Sequence, residues 1–244
     1  LLPEGIGREQ ASGIFDNLSR ACRSAGVSLV GGHTEITVGL DRSILVGCLL
    51  GTVRRDRLVR TSGARPGDSV LLAGGIAIEG TAILAREHGA ALAARGVAAS
   101  VIGRAAAWLR SPGISVLPAA RAIHATGAAH AMHDPTEGGL VTGLHELSEA
   151  AGVGLRIDMA AIPVLPECRL ICDALGLDPL GLLASGALIA VLEPAEVGPA
   201  LDRLRTAGIP GAVIGEVVPG GQSVPVLPVF ARDELARYLE SQGQ

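Results

Sequence analysis

Between residues 69 and 218, short aliphatic runs alternate with longer stretches of helical periodicity, and glycine or proline punctuates the alternation throughout. A chain written this way must gather its strands into a sheet and lay helices over it. Strands are predicted over 69–73, 129–132, 155–158, 187–192 and 212–218. Helices are predicted over 98–109, 117–125, 165–175 and 195–207, the first two separated by a Ser111-Pro112-Gly113 break. One more helix carries Glu79-Gly80-Thr81 after the Gly74-Gly75 turn. Another presents Leu140, Leu144, Leu147 and Ala151 on one face and stops at Gly152. The expected arrangement is a mixed sheet with helices over one face.

The chain opens differently. Ile14, Leu18, Cys22 and Ala25 follow helical spacing, with Gly26 as the stop. Val27-Ser28-Leu29-Val30 reads as a short buried strand ending at Gly31-Gly32. Residues 35–53 read as a hairpin about Gly39-Leu40-Asp41-Arg42. One helix and a few strands are too few for an independent core. An arginine-rich stretch broken by glycine and proline follows, over 54–67. The expected organisation is a partial domain over 1–62, a complete domain over 63–220 and a peripheral tail over 221–244.

Composition narrows the function. Of 244 residues 48% are apolar, yet there are only two Phe, one Trp and one Tyr, so the core must be aliphatic. That excludes a base-stacking platform or an aromatic cage. A net charge of −4 without a basic block argues against nucleic acid and anionic membrane. No apolar run is long enough to span a bilayer and no signal-peptide pattern opens the chain, so a cytoplasmic location is expected. All twenty basic residues are arginine. Schiff-base chemistry and a P-loop lysine are therefore excluded within the chain, leaving backbone N–H groups, arginine or a metal to hold phosphate. The four cysteines lack paired zinc spacing; Cys168 and Cys172 share a face if helical. His130, His133 and His145 do not complete a tetrahedral site. No Gly-x-Ser-x-Gly elbow is present.

Two short segments carry the chemistry. In His133-Asp134-Pro135-Thr136-Glu137-Gly138-Gly139, Asp134 suits a helix N-cap, Pro135 the first helical position and Glu137 the acid of a capping box. Such a cap is worth about 1 kcal/mol. It leaves Gly138-Gly139 unexplained, because glycine in a first turn costs about 1 kcal/mol relative to alanine. Glycine there lets something approach the backbone closely, and a helix N-terminus favours anions. Asp134 could equally hold Mg²⁺ against a phosphate, and the residues alone leave both readings open. Gly31-Gly32-His33-Thr34 ends a predicted strand with exposed amides and a hydroxyl. Glu79-Gly80-Thr81 is a third strand-to-helix turn, whose plainer reading is a helix start with an acid in the first turn.

Asp134-Pro135-Thr136-x-Gly138-Gly139-Leu140 resembles the Asp-Pro-Thr-Arg-Gly-Gly-Leu segment of the AIR (aminoimidazole ribonucleotide) synthase-related, PurM-like superfamily. Gly31-Gly32-His33-Thr34 resembles its Gly-Gly-x-Thr loop. Ala64-Arg65-Pro66-Gly67-Asp68 resembles the opening of its C-terminal domain, and Ala174-Leu175-Gly176-Leu177-Asp178-Pro179-Leu180 is similar to a segment of its hydrogenase-maturation branch. The motifs stand in family order from about Leu2 to Val218. The resemblance implies an α+β protein: the second half of a PurM-like N-terminal ATP-binding domain, then a complete PurM-like C-terminal α/β domain. It implies a homodimer, ATP and Mg²⁺ as cofactors, and phosphoryl transfer to a small-molecule substrate. On that analogy Asp134 is the Mg²⁺ ligand and, with Thr136, catalytic. Gly31, Gly32, His33, Thr34, Glu79, Gly80, Gly138 and Gly139 bind the nucleotide or shape its cleft. His33 replaces the family's more usual acid or amide, and no tail cysteine is present. The alternative is a non-catalytic assembly or maturation subunit that keeps the fold and the dimer interface.

Overall fold

The computed structural model of the protein describes residues 1–221, 223 and 225–243. It comprises two compact units, Leu1–Arg54 and Arg55–Gln244. The boundary falls earlier than expected because Thr61–Gly63 already belongs to the second unit. There the Thr61 hydroxyl donates to the Met132 carbonyl at 3.3 Å. A Cβ on Gly63 would lie 2.0 Å from the His130 oxygen.

In the first unit, β1 (Leu2–Pro3) precedes a long helix, α1 (Arg8–Ala25), which ends as predicted on a left-handed Gly26. β2 (Ile36–Thr37) runs parallel to β1, pairing Leu2 with Ile36. The predicted strand over Val27–Val30 and the hairpin over 35–53 do not form. Residues 27–35 and 43–54 have no regular structure, although a turn does occur at Gly39. A strand needs a hydrogen-bonded ladder, and among the described residues of this unit the pairing stops at the two-residue β1–β2 pair and one exchange of backbone bonds between Leu1 and Ile44. Val30, Val46, Leu49 and Leu50 are consequently exposed, each at 80% or more.

The second unit follows the predicted alternation. β3 (Ser69–Ala73) leads to α2 (Ile78–Glu87), α3 (Gly89–Ala94) and α4 (Ala99–Ala106), then through a turn at Pro112 to α5 (Leu117–His124). Next come β4 (Ala129–His133), α6 (Gly139–Ala151), β5 (Gly154–Ile157), α7 (Pro166–Leu175), β6 (Leu188–Leu192), α8 (Val197–Thr206), β7 (Gly211–Val218) and α9 (Glu234–Ser241). The strand order is β4-β6-β3-β7-β5, and every pair is antiparallel. This corrects the expectation of a mixed sheet. Consecutive strands never lie side by side, so the helical connections impose no parallel pair.

Helices cover both faces, not one. Successive residues of β3 point alternately: Val70 and Leu72 into a large core with Ile78, Leu84, Leu140, Leu144 and Ile171, Leu71 and Ala73 into a smaller one with Ala119, Ile123, Ala200 and Leu204. α5 and α8 build that second layer, which is why all five residues of β6 are buried. On the other face Arg104 of α4 donates to Glu167 of α7 at 2.7 Å. The segment after residue 220 is not peripheral. Leu227, Leu235 and Tyr238 are buried, and the Tyr238 ring meets His88 edge-on at 5.0 Å. Among the described residues no helix is long and apolar enough to cross a membrane.

Candidate nucleotide site

β4 is an edge strand, and its end delivers His133 to the rim of the sheet. The chain then runs through Asp134, Pro135, Thr136 and Glu137 before α6 begins. Asp134 is not the N-cap: Gly138 holds that position at φ +76°, and no side chain of the turn itself caps the helix. The capping box is therefore not made. Asp134, Thr136 and Glu137 are exposed, and Asp134 forms no hydrogen bond or ion pair among the described residues.

The backbone of this turn is fixed from several sides. The Gly138 amide donates to Asp233 Oδ2 at 2.8 Å, and the Gly139 amide to the Thr136 carbonyl at 3.1 Å. That carbonyl also accepts from the Ala184 amide at 3.1 Å, while the Val141 amide donates to the Leu180 carbonyl at 3.2 Å. Pro135 is buried against Gly143, whose Cβ would lie 2.6 Å from the proline Cβ. His133 Nε2 pairs with Glu146 Oε2 at 2.7 Å.

The glycine pair is accounted for by the protein's own atoms. Gly139 has φ +70°, and a Cβ there would lie 2.3 Å from the Leu180 oxygen. Gly80, in the first turn of α2, meets the same segment: its Cβ would lie 2.6 Å from Leu182, and its amide donates to the Leu183 carbonyl at 3.1 Å. The close approach is thus made by residues 180–184 at Gly139 and Gly80, and by the Thr142 side chain at Gly138. That segment brings the Glu79-Gly80 and Asp134 motifs together; Glu79 beside it is half-buried. Gly31, Gly32, His33 and Thr34 lie in the Leu1–Arg54 unit, exposed and outside regular structure. No atom comes within 4 Å of a Cβ built on Gly31 or Gly32.

Sequence reasoning missed the group that fastens the site, Asp233, Glu234 and Arg237. Asp233 Oδ1 caps α9 through the Leu235 amide at 2.7 Å. Burial pushes the Asp233 carboxyl up, despite the amides of Leu235, Gly138 and Leu183 that stabilise its anion; the nearby Glu137 charge adds to the rise. Glu234 accepts from the Asp178 amide at 3.0 Å and from Arg237 at 2.6 and 2.7 Å. The Arg237 guanidinium holds the Glu234 carboxyl below its usual range. Arg237 also reaches the Gly176 carbonyl at 2.9 Å. An aspartate before Glu-Leu-Ala-Arg, with the acid and base three apart, is a helix-start signature that could have located this element.

No three His, Cys, Asp or Glu residues converge among the described residues. A metal held by protein ligands alone is therefore unsupported. One hard, unspent carboxylate suits Mg²⁺, which takes one or two carboxylates and fills its remaining positions with phosphate and water. Cys168 and Cys172 do share a face of α7, buried, with sulfurs 3.9 Å apart. The neighbouring Cys168 and burial push the Cys172 thiol up.

Residues 65–227 match the family described as AIR synthase related protein, C-terminal domain. The chain belongs to this family. It is 33% identical to the carbamoyl dehydratase HypE of Cupriavidus necator, over 91% of this chain and 61% of that protein. It is 31% identical to the hydrogenase expression/formation protein HupE of Azotobacter chroococcum, over 99% and 69%. The chain spans about six-tenths of the length of the HypE relatives it matches. Among solved structures, hydrogenase maturation protein HypE in complex with ATP superposes with a TM-score of 0.70 at 26% identity, covering 96% of this chain and 72% of that one. HypE of Escherichia coli (TM-score 0.73, 23% identity, 97% and 73% covered) shares the fold. So does thiamine monophosphate kinase of Aquifex aeolicus (0.65, 21%, 93% and 72%).

Proposed function

We propose that this protein is an ATP-dependent enzyme that activates a small-molecule substrate by phosphoryl transfer, with Mg²⁺ held at Asp134. The observation that carries this reading is the exposed, unpartnered carboxylate of Asp134 on a turn whose backbone is tied down at Thr136, Gly138 and Gly139. A carboxylate there has no partner among the described residues. Bound Mg-ATP supplies the transferable phosphoryl group and the cation that neutralises its charge. The chain's own part is placement. Asp134 ligates the metal, and Thr136 offers a hydroxyl beside it. Gly80, Gly138 and Gly139 set the shape of the turn, with Glu79 at its edge.

The HypE relatives are named carbamoyl dehydratases, and this directs the substrate class. Phosphorylating the oxygen of an amide or carbamoyl group turns it into a phosphate leaving group. The C–O bond then breaks with that phosphate, and the nitrogen gives up its protons. The exposed apolar residues of the Leu1–Arg54 unit support a homodimer built on that unit, and the setting is the cytoplasm. Thermal-shift titrations of the full chain with Mg-ATP, Mg-ADP and metal-free ATP test the reading. Stabilisation with Mg-ATP that metal-free ATP does not give is expected; no shift with any nucleotide removes ATP from the account.

One observation favours the second reading, a non-catalytic assembly or maturation subunit: His33 stands where the family's loop carries an acid or amide. Nucleotide binding without phosphate release under any tested substrate pool supports it. ATP hydrolysis lost in Asp134→Ala excludes it.

A further inference from the structure

The turn of Asp134 contains, within itself, the residues of a capping box and does not use them. Asp at the cap, Pro at the next position and Glu three after the cap would normally start the helix at residue 135. Instead α6 starts at Gly139, behind a glycine with no side chain to offer. A helix start leaves amides in need of acceptors. The acceptor here comes from 95 residues away: Asp233 Oδ2 takes the Gly138 amide at 2.8 Å. The other oxygen of the same carboxylate takes the Leu235 amide at 2.7 Å, at the start of α9. One side chain thus caps two helices and staples α9 to α6.

The rest of α9 is held independently. The Glu234 amide donates to the Gly181 carbonyl at 3.1 Å. The Glu234 carboxylate receives the Asp178 amide, and Arg237 reaches Gly176. The Phe230 ring lies on Gly181, where a Cβ would come within 2.5 Å of it. Docking of the segment to residues 176–181 therefore does not depend on Asp233. What Asp233 adds, beside its own helix cap at Leu235 and its interaction with the Leu183 amide, is the bond to the Gly138 amide.

We infer that Asp233 is a positioning residue of the candidate nucleotide site, relieving Asp134 of the capping role and leaving both its oxygens for the metal. This rests on the proposed reading of Asp134 as a Mg²⁺ ligand. With Asp233 gone, the Gly138 amide loses its acceptor, and Asp134 in the same turn is expected to turn back toward its own helix.

The test uses the full chain with Mn²⁺ as the probe, its ATP-dependent binding followed by electron paramagnetic resonance, in wild type, Asp233→Ala, Asp233→Asn and Arg237→Ala. Thermal stability is measured alongside. Asp233→Ala is expected to weaken Mn-ATP binding by about tenfold or more, the scale seen when a group orienting a metal ligand is lost. Asp233→Asn keeps one acceptor oxygen and is expected to retain more binding than the alanine variant. Arg237→Ala loosens α9 without touching Gly138 and is expected to leave binding within about twofold, although it also lowers the melting temperature. If Asp233→Ala does not fold, Asp233→Asn against Arg237→Ala decides the same question. Equal effects of the Asp233 and Arg237 substitutions on Mn-ATP binding overturn the positioning role and leave the proposed function standing. A wild type that binds no Mn-ATP overturns both.

Discussion

Gly139 and Asp134 are five residues apart on one turn, and they respond oppositely to the same change. A side chain at Gly139 must adopt φ +70° and push into the Leu180 carbonyl, 2.3 Å away. Gly139→Ala is therefore expected to destabilise the protein by about 2–3 kcal/mol, read as a lower denaturant midpoint at unchanged slope. Asp134 is exposed and unpartnered, so Asp134→Ala is expected to stay within about 0.5 kcal/mol of wild type in stability. The residue types of the turn were legible in the sequence, as was the oddity of two glycines in a helix start. What could not be read is which object the glycines accommodate. At Gly139 it is the segment at residues 180–184, brought there by tertiary packing, and the cap itself arrives from Asp233.

At the level of elements, the strands of the second unit were legible because each is a dense aliphatic run. Their order was not. β3 sits at the centre with neighbours drawn from Leu188–Leu192 and Gly211–Val218, and no local pattern encodes that pairing. The predicted strand over Val27–Val30 failed for the complementary reason: its propensity is real, yet among the described residues it has no partner to complete a ladder. α9 carried a readable start at Asp233-Glu234, but only the structure shows that it fastens the site. Its attachment has a pH signature. Arg237 holds the folded-state Glu234 carboxyl below its usual value, so the stabilisation is present when Glu234 is ionised and is lost as pH falls through that lowered value. Between neutral pH and about pH 3, wild type is expected to lose more of its melting temperature than Glu234→Gln. Identical pH profiles for the two would show that the Glu234–Arg237 pair does not stabilise α9.

The two units of the whole molecule differ in how much they bury. α1 has no buried residue, and Leu29, Val30, Val38, Leu45, Val46, Leu49 and Leu50 of the first unit are all exposed. Apolar surface on that scale is what the proposed homodimer would cover. The full chain is expected to scatter light as a dimer at micromolar concentration, and a monodisperse monomer would contradict the proposed homodimer. The second unit carries the family match and a closed core, so its fold does not rest on that association. The central claim concerns one carboxylate. Isothermal titration of Mg-ATP into the full chain, wild type against Asp134→Ala, with unfolding curves of both, tests it most directly. The account predicts that the variant keeps its stability and loses Mg-dependent ATP affinity by at least about tenfold. Unchanged Mg-ATP affinity in a folded Asp134→Ala protein would contradict it.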